Sequence, residues 1–529
     1  MPRQARSNET VVACLAAVTL FVWTGCRPVS IAPRAAAEGK ARSGGNVAAA
    51  LVFHRIEATI DPAEHRIDLR DEISFPAPKR RRRLSFALAG GLDVESLDPA
   101  YEVAEVGDGT RGARTSGSPG ESVLRAWMLS PRGGSWTGRV SVPLRIRGVV
   151  HEPPQVEEGE YARAFSRTPG IIDSAGVYLS GASHWLPQLE LGPFAFEIGV
   201  TVPSDWHVIC QGRRLSVAKE GDRRRIVWRS DAPMQEVYLA GGPLVEYRRS
   251  GEGLTLYVFL HRADEALAAR YLDAAASYLA MYSQLLGPYP YPKFALVENF
   301  WETGYGMPSF TLLGPRVIRL PFILHSSYPH EILHNWWGNS VYVDESGGNW
   351  SEGLTAYLAD HLVKEGRGQG AEYRRDTLAR YRSYVRENED FPLTEFRERH
   401  SPATEAVGYG KSLMLWHMLR RRLGDEAFVA GLRRLYERGR FRRVSFGDIA
   451  EIFSEVSNRD LRPLFAQWTR RTGAPEFALQ CRRLSPSRVR VRIEQIQSGA
   501  PFRLRVPVAL TVEGKAEAQV VDVLVDRRV

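Results

Sequence analysis

Cysteine is scarce, with four in 529 residues at positions 14, 26, 210 and 481. So few exclude a disulfide-built scaffold, and their spacing excludes a cysteine-rich zinc site. Lysine is nearly as rare: 63 of the 70 basic residues are arginine, and these are scattered through every region. The net charge of +9 is therefore not the concentrated footprint of a nucleic-acid binder, and no nucleic-acid partner is expected. The one dense basic run, Lys79 to Arg83, has no interleaved aromatics and follows Pro78. It reads as a solvated turn that discourages strand pairing. No apolar run reaches the ~20 residues needed to cross a bilayer as a helix, mean hydropathy is −0.27, and no repeat of solenoid length is present. Collagenous, disordered and polytopic membrane classes are excluded. What remains is an ordinary globular balance, 44% apolar and 25% charged, in a chain too long for one core.

The N-terminus has the text of an export signal. Arg3 and Arg6 precede an apolar run from Val11 to Trp23, the length of a signal-peptide core and too short to span a membrane. It ends Trp23-Thr24-Gly25-Cys26, which resembles a bacterial lipobox, where a small residue precedes the cysteine that becomes the lipidated N-terminus. Trp23 departs from that pattern, which usually has an aliphatic residue there. The expectation is a signal peptide with lipobox over 1–26, Cys26 as the lipidation site, and an Ala-, Gly-, Pro- and Arg-rich tether over 27–48. This implies a protein of the bacterial cell envelope, membrane-anchored by lipid and facing the periplasm, or secreted to the periplasm if Cys26 is not used.

From residue 49 to about 250 apolar and polar residues alternate between Gly, Pro and Asp breaks, as in His54 to Ile60, Val140 to Ile146 and Phe196 to Val202. These predict half-buried antiparallel strands. The period then changes. Ala266 to Leu286 has apolar residues at helical spacing and stops at Gly287-Pro288, and helical patterns such as 410–422 and 425–438 continue to Pro475, with one strand candidate at Phe294 to Glu298. Alternation returns in Arg488 to Ile493 and Phe502 to Leu510, for about four strands. That tail is too short to stand alone and is expected to pack on a neighbour. The predicted fold class is multidomain α+β: a β-rich domain over 49–250, a mainly helical domain over 251–475, and a short C-terminal β module over 476–529. Nothing local pairs Cys210 with Cys481.

His330-Glu331-Ile332-Leu333-His334 sits in a stretch that reads as helix after Pro329. Positions i and i+4 share a helix face, so His330 and His334 can present imidazoles to one tetrahedral Zn²⁺ with Glu331 beside it as a base. Glu352 falls in the first turn of a second helical pattern running through Leu362, where a carboxylate is favoured by the helix dipole. Two imidazoles and one carboxylate leave a fourth position for water, whose pKa zinc lowers to about 7, the open arrangement of a catalytic site. One Zn²⁺ per chain is expected.

Here the sequence resembles the gluzincin zinc aminopeptidases, the family typified by aminopeptidase N and leukotriene hydrolase. The matching text is His330 to Asn339, then Glu352-Gly353, Tyr409-Gly410-Lys411, Leu423 to Phe428 and Gln467-Trp468. The resemblance implies a β-rich saddle domain, a thermolysin-like catalytic domain and part of a β-sandwich module, within or just after which the chain is expected to end. It also implies peptide substrates, with Tyr409 as the hydroxyl facing the developing oxyanion.

Two departures stand out. Seventeen residues separate His334 from Glu352, one fewer than the family places there. On the substrate side, the family's Gly-x-Met-Glu-Asn-Pro motif, whose glutamate binds the free α-amine, is replaced by Gly304-Tyr-Gly-Met-Pro-Ser-Phe310, and Gly176 to Ser180 offers no second amine-side acid or amide. Without a carboxylate a desolvated ammonium has no partner. Gly306 and Met307 remain candidates to align a substrate backbone, and Glu298 and Glu302 are candidates for a replacement anchor if their loop turns inward. Asp360, eight residues after Glu352, is a weak candidate to orient an imidazole. The sequence thus predicts a zinc metallopeptidase whose amine anchor is missing. The alternatives are an endopeptidase, a hydrolase of N-blocked peptides, or a silent envelope binding or scaffold protein that keeps the shell.

Overall fold

The computed structural model describes residues 52–106, 123–156, 166–251, 253–386, 389–485, 488–511 and 518–528. The expected signal peptide, Cys26 and the 27–48 tether lie outside the described residues.

The alternating segments of the N-terminal region build a seven-stranded sheet in the order Arg213–Glu220, Arg223–Met234, Phe194–Pro203, Val52–Asp61, Arg66–Pro76, Arg139–Val149, Leu92–Ser96. Its pairings are antiparallel except that of Val52–Asp61 with Phe194–Pro203. Side chains two apart share a face, so Val52, Ile56, Ala58 and Ile60 point inward while Arg55, Glu57 and Thr59 face solvent. A four-stranded sheet, Gly170–Asp173, Gly176–Leu179, Leu239–Gly242 and His207–Cys210, packs into the same core. Lys79 to Arg83 is exposed and outside any strand, as its composition suggests.

A five-stranded sheet follows, ordered Val245–Gly251, Leu254–Leu260, Lys293–Glu298, Phe310–Leu313, Gly304–Met307. Its first strand begins before residue 250 and runs across it, pairing antiparallel with Leu254–Leu260. The helix Glu265–Leu286 is the crossover that lets Leu254–Leu260 and Lys293–Glu298 run parallel. Tyr257, Phe259, Ala295 and Val297 face the N-terminal core, whereas Leu256, Val258, Phe294 and Leu296 face the helical core. The sheet is thus a wall shared by two cores, which is why its middle strands are apolar on both faces.

Helices Ser412–Leu423, Asp425–Gly439, Phe446–Ser457 and Arg462–Arg470 complete the helical core. The C-terminal strands form two hairpins, Phe477–Ser485 with Arg488–Gln495 and Leu504–Leu510 with Gln519–Val525. They pack on the helical region as expected: Phe502 and Leu504 join its core, and the Phe502 ring stacks 5.3 Å from Trp468. Cys210 is buried, Cys481 is exposed, and both are free thiols. No helix among the described residues is long and apolar enough to cross a membrane.

Candidate active site

The first histidine lies on a short helix, Ser327–Leu333. It begins three residues earlier than a helix starting after Pro329, because Pro329 falls in the first turn, where an amide has no intrahelical partner to lose. His334 forms its C-cap. The Nε2 atoms of His330 and His334 each lie 3.5 Å from Oε2 of Glu352, which sits in the first turn of Ser351–Ala356. The three ligand atoms are all within 4.8 Å of one another. Each ring is oriented through its other nitrogen. Nδ1 of His334 donates to the Trp337 carbonyl at 3.0 Å, and Nδ1 of His330 lies 3.3 Å from both oxygens of Asp360. This leaves both Nε2 lone pairs facing Glu352, as metal-bound imidazoles require.

Oε2 of Glu352 is buried and accepts no hydrogen bond. An orphaned carboxylate oxygen between two imidazole lone pairs fits a cation, and the two-nitrogen, one-oxygen donor set suits zinc. The electrostatics agree. Burial disfavours a charged His330, but Asp360, Glu352 and Glu331 outweigh it and hold its proton affinity well above the ordinary value; His334 is raised in the same way by Glu352 and Glu331. Burial also opposes ionisation of Glu352, yet the two imidazoles keep its carboxyl well below the usual range. A pocket of acids around two imidazoles favours a divalent charge.

Asp360 reaches His330 because the second helix is not regular. Residues Tyr357–His361 form a π turn between Ser351–Ala356 and Leu362–Gly366. At ~3.6 residues per turn an i+8 position lies off the face of residue i, and the extra residue of a π turn rotates Asp360 back toward the face of Glu352. Asp360→Asn is expected to weaken zinc binding by roughly 10–100-fold. Competition with a chromophoric chelator checks this, and an unchanged dissociation constant removes Asp360 from the site.

A second π turn, Ala406–Lys411, carries Tyr409. Its ring stacks 6.2 Å from that of His330, and Arg399 lies over it at 5.6 Å. Burial and the neighbouring Glu352 and Glu331 carboxylates raise the phenol well above its usual range, so it stays a proton donor. The approach depends on Gly353: a Cβ there would fall 2.0 Å from Oγ of Ser412. A larger residue would push apart the two segments that carry Glu352 and Tyr409.

Residues 325–468 match the model of the peptidase family M1 domain. That stretch of the chain, which holds both histidines, Glu352 and Tyr409, is similar to a peptidase family M1 domain. Among curated relatives it is 22% identical over 396 residues to mitochondrial aminopeptidase 2 of Saccharomyces cerevisiae, covering 70% of this chain and 41% of that protein. It is also 22% identical over 189 residues to the alanine/arginine aminopeptidase of that yeast, covering 32% and 22%. The chain thus spans less than half the length of these relatives. Among solved structures, the M1 zinc metallopeptidase of Deinococcus radiodurans superposes with a TM-score of 0.57 at 18% identity, covering 80% of this chain and 94% of that one. A mutant form bound to a Tyr-Ser-Ala substrate gives 0.59 at 17%, covering 81% and 95%. These likenesses establish a shared multidomain α+β fold.

Next to the candidate metal ligands, Gly304–Met307 is the edge strand of the five-stranded sheet and lies against the first-ligand helix. A Cβ on Gly306 would sit 2.6 Å from Oε2 of Glu331, so only glycine allows strand and base this close. The strand turns back through Pro308-Ser309, with Met307 paired to Phe310. Proline followed by a residue at φ +72° is the signature of a type II turn. Glu298 and Glu302 do not turn toward the metal ligands. Glu298 is buried, accepting from the His261 amide at 2.9 Å and from Arg319 at 2.5 Å. Glu302 accepts from the Arg316 amide through Oε1 at 3.0 Å, and its Oε2 is buried beside Gly314 without a hydrogen bond. Glu298 thus ends inside the sheet, paired with the partly exposed Arg319.

The sequence reading passed over Lys293. It is buried, its Nζ donates to the carbonyl (3.1 Å) and Oγ (2.9 Å) of Ser309, and it lies over the rings of Trp228 and Phe310. With Asn335, whose Oδ1 accepts from the Ser309 amide at 2.7 Å, it pins the turn. The available signal was a lone lysine in an apolar strand of a lysine-poor chain. Burial lowers its ammonium to about 7. Folding therefore releases this proton above pH 7, while the unfolded side chain keeps it to near 10.5. Stability is expected to rise with pH across that window, by at most about 1.4 kcal/mol per unit. Urea unfolding at pH 7 and 9.5 should show this rise lost in Lys293→Met relative to the unchanged chain.

Proposed function

We propose that the chain is a zinc-dependent metallopeptidase that hydrolyses peptide bonds by activating water, and that it does so without strict dependence on a free α-amine. The observation that carries this is the convergence of His330, His334 and the orphaned Oε2 of Glu352 within 4.8 Å, beside Glu331 and Tyr409. Zinc bound there supplies a Lewis acid that makes water acidic enough to lose a proton near neutral pH. Glu331 takes that proton and delivers it to the leaving amine. Tyr409 donates its phenolic proton in a hydrogen bond to the oxygen on which charge develops. Asp360 and the Trp337 carbonyl hold the imidazoles in register, and the free edge of Gly304–Met307 offers backbone groups to an extended substrate. Tyr409→Phe is expected to lower kcat by roughly 10²–10³-fold with a smaller change in KM; steady-state kinetics on a peptide substrate checks this.

The named relatives are aminopeptidases, which supports a peptide substrate. The Pro308-Ser309 turn and the Glu298 carboxylate, already engaged by the His261 amide and Arg319, favour cleavage of internal or N-blocked peptides over strict removal of the first residue, because an ammonium buried without an acid is costly. A peptide-library digest read by mass spectrometry, with and without chelator, tests both levels. Chelator-sensitive cleavage supports the peptidase reading, and its absence refutes it. Strong preference for an aminoacyl anilide over its N-acetyl form refutes the amine-independent reading alone. The text from Val11 to Cys26 supports placement in the bacterial envelope by a lipid on Cys26; Cys26→Ser should then move the protein to the soluble fraction.

A further inference from the structure

We propose that His65, His151 and Asp173 form a second divalent-metal site, remote in sequence from the peptidase ligands, that ties together the two sheets of the N-terminal region. The three residues come from separate segments. His65 lies in the turn between Val52–Asp61 and Arg66–Pro76, His151 follows Arg139–Val149, and Asp173 ends Gly170–Asp173. One ligating atom from each lies within 4.8 Å of the others. The two imidazole centroids are 3.8 Å apart with planes inclined by 33°.

The protonation pattern suits a metal. Nδ1 of His65 and Nδ1 of His151 both contact the Ile172 carbonyl, at 2.7 and 3.2 Å. A carbonyl only accepts, so Nδ1 is the donor nitrogen in each ring and Nε2 carries the lone pair when the ring is neutral. Orientation of an imidazole through one nitrogen by a backbone carbonyl is the arrangement that supports metal binding through the other. Asp173 is prepared in the same sense. Its Oδ1 accepts from the Ala175 amide at 3.0 Å and from the Ser174 hydroxyl at 3.2 Å, while Oδ2 lies 4.0 Å from Nδ1 of His65 and carries no hydrogen bond from it. In a chain with 63 arginines, none of the described arginines or lysines forms an ion pair with Asp173.

His65 and Asp173 are about a third exposed, 35% and 30%, so an ion can enter from solvent. Two imidazoles and one carboxylate, with water completing the shell, select a borderline cation such as Zn²⁺, Co²⁺ or Ni²⁺ over Mg²⁺ or Ca²⁺, which prefer all-oxygen shells. Because the ligands bridge the turn at one end of the seven-stranded sheet and the last residue of a strand in the four-stranded sheet, the ion acts as a structural clip, outside the hydrolytic chemistry.

The test uses the full chain equilibrated with excess ZnCl₂, gel-filtered, and assayed for zinc by plasma mass spectrometry. Two equivalents are expected for the unchanged chain, and one each for His151→Ala and for Glu352→Ala. Zinc should raise the Tm of Glu352→Ala and leave that of Glu352→Ala/His151→Ala unmoved. His151→Ala should keep the full peptidase kcat. Retention of two equivalents by His151→Ala, a single equivalent in the unchanged chain, or a Tm of Glu352→Ala that ignores zinc overturns the proposal. Should His151→Ala fail to fold, the near-isosteric Asp173→Asn takes its place with the same expected loss of one equivalent. Failure of the peptidase reading appears separately, as absent turnover with this equivalent still bound.

Discussion

Replacing Glu331 by glutamine is expected to lower kcat by about 10²–10⁴-fold while zinc content stays unchanged. The substitution is nearly isosteric, which matters because the carboxylate lies against Gly306, where even a Cβ would come within 2.6 Å of Oε2. Packing between the edge strand and the first-ligand helix is therefore preserved. What disappears is the capacity to accept a proton, since an amide is not basic enough to take one from water or return it to a leaving amine. Glutamine also removes one of the negative charges that raise the proton affinity of His330 and His334, so zinc affinity should shift slightly and zinc stoichiometry not at all. Single-turnover cleavage of a fluorogenic peptide alongside zinc analysis separates the two quantities. Undiminished turnover removes Glu331 as the base.

Glu352→Ala is expected to abolish both zinc retention at this site and peptide hydrolysis. Structural zinc sites with four ligands bind with about 10–16 kcal/mol, so losing one ligand costs roughly 3 kcal/mol or more, a hundredfold or greater fall in affinity. The two imidazoles also lose the carboxylate that both face at 3.5 Å, leaving Asp360 and Glu331 as the remaining acids. Because Glu352 sits in a first helical turn and its side chain makes no hydrogen bond through Oε2, the fold should survive, with circular dichroism unchanged. Carrying the substitution in a His151→Ala background restricts the zinc reading to the catalytic ligands. Stoichiometric zinc and ordinary turnover in that protein would show that Glu352 is not a ligand.

Much of this was legible in the sequence because the signals are local. The spacing of His330 and His334 encodes a shared face within one helical turn, and the alternation in His54 to Ile60 encodes a half-buried strand. What escaped depends on distant contacts. Leu256 to Leu260 is a continuous apolar run because both of its faces are covered by different cores, so no period of two marks it. The π turns at Tyr357–His361 and Ala406–Lys411 leave no composition signature. They determine whether Asp360, at an unpromising i+8 spacing, meets His330 and where Tyr409 stacks. The role of Lys293 could not be read from its neighbours, because Ser309 and Asn335 join it only through the sheet and the first-ligand helix. Pro308-Ser309 was visible as missing acid text. That it forms a turn follows from the pairing of Met307 with Phe310.

The most direct test is a crystal structure of the zinc-loaded protein with diffraction recorded on both sides of the zinc absorption edge. The expected result is an anomalous peak about 2.0–2.2 Å from Nε2 of His330, Nε2 of His334 and a carboxylate oxygen of Glu352, with one coordination position open to solvent. Density without a peak there, or a peak whose shell excludes Glu352, would contradict the central claim.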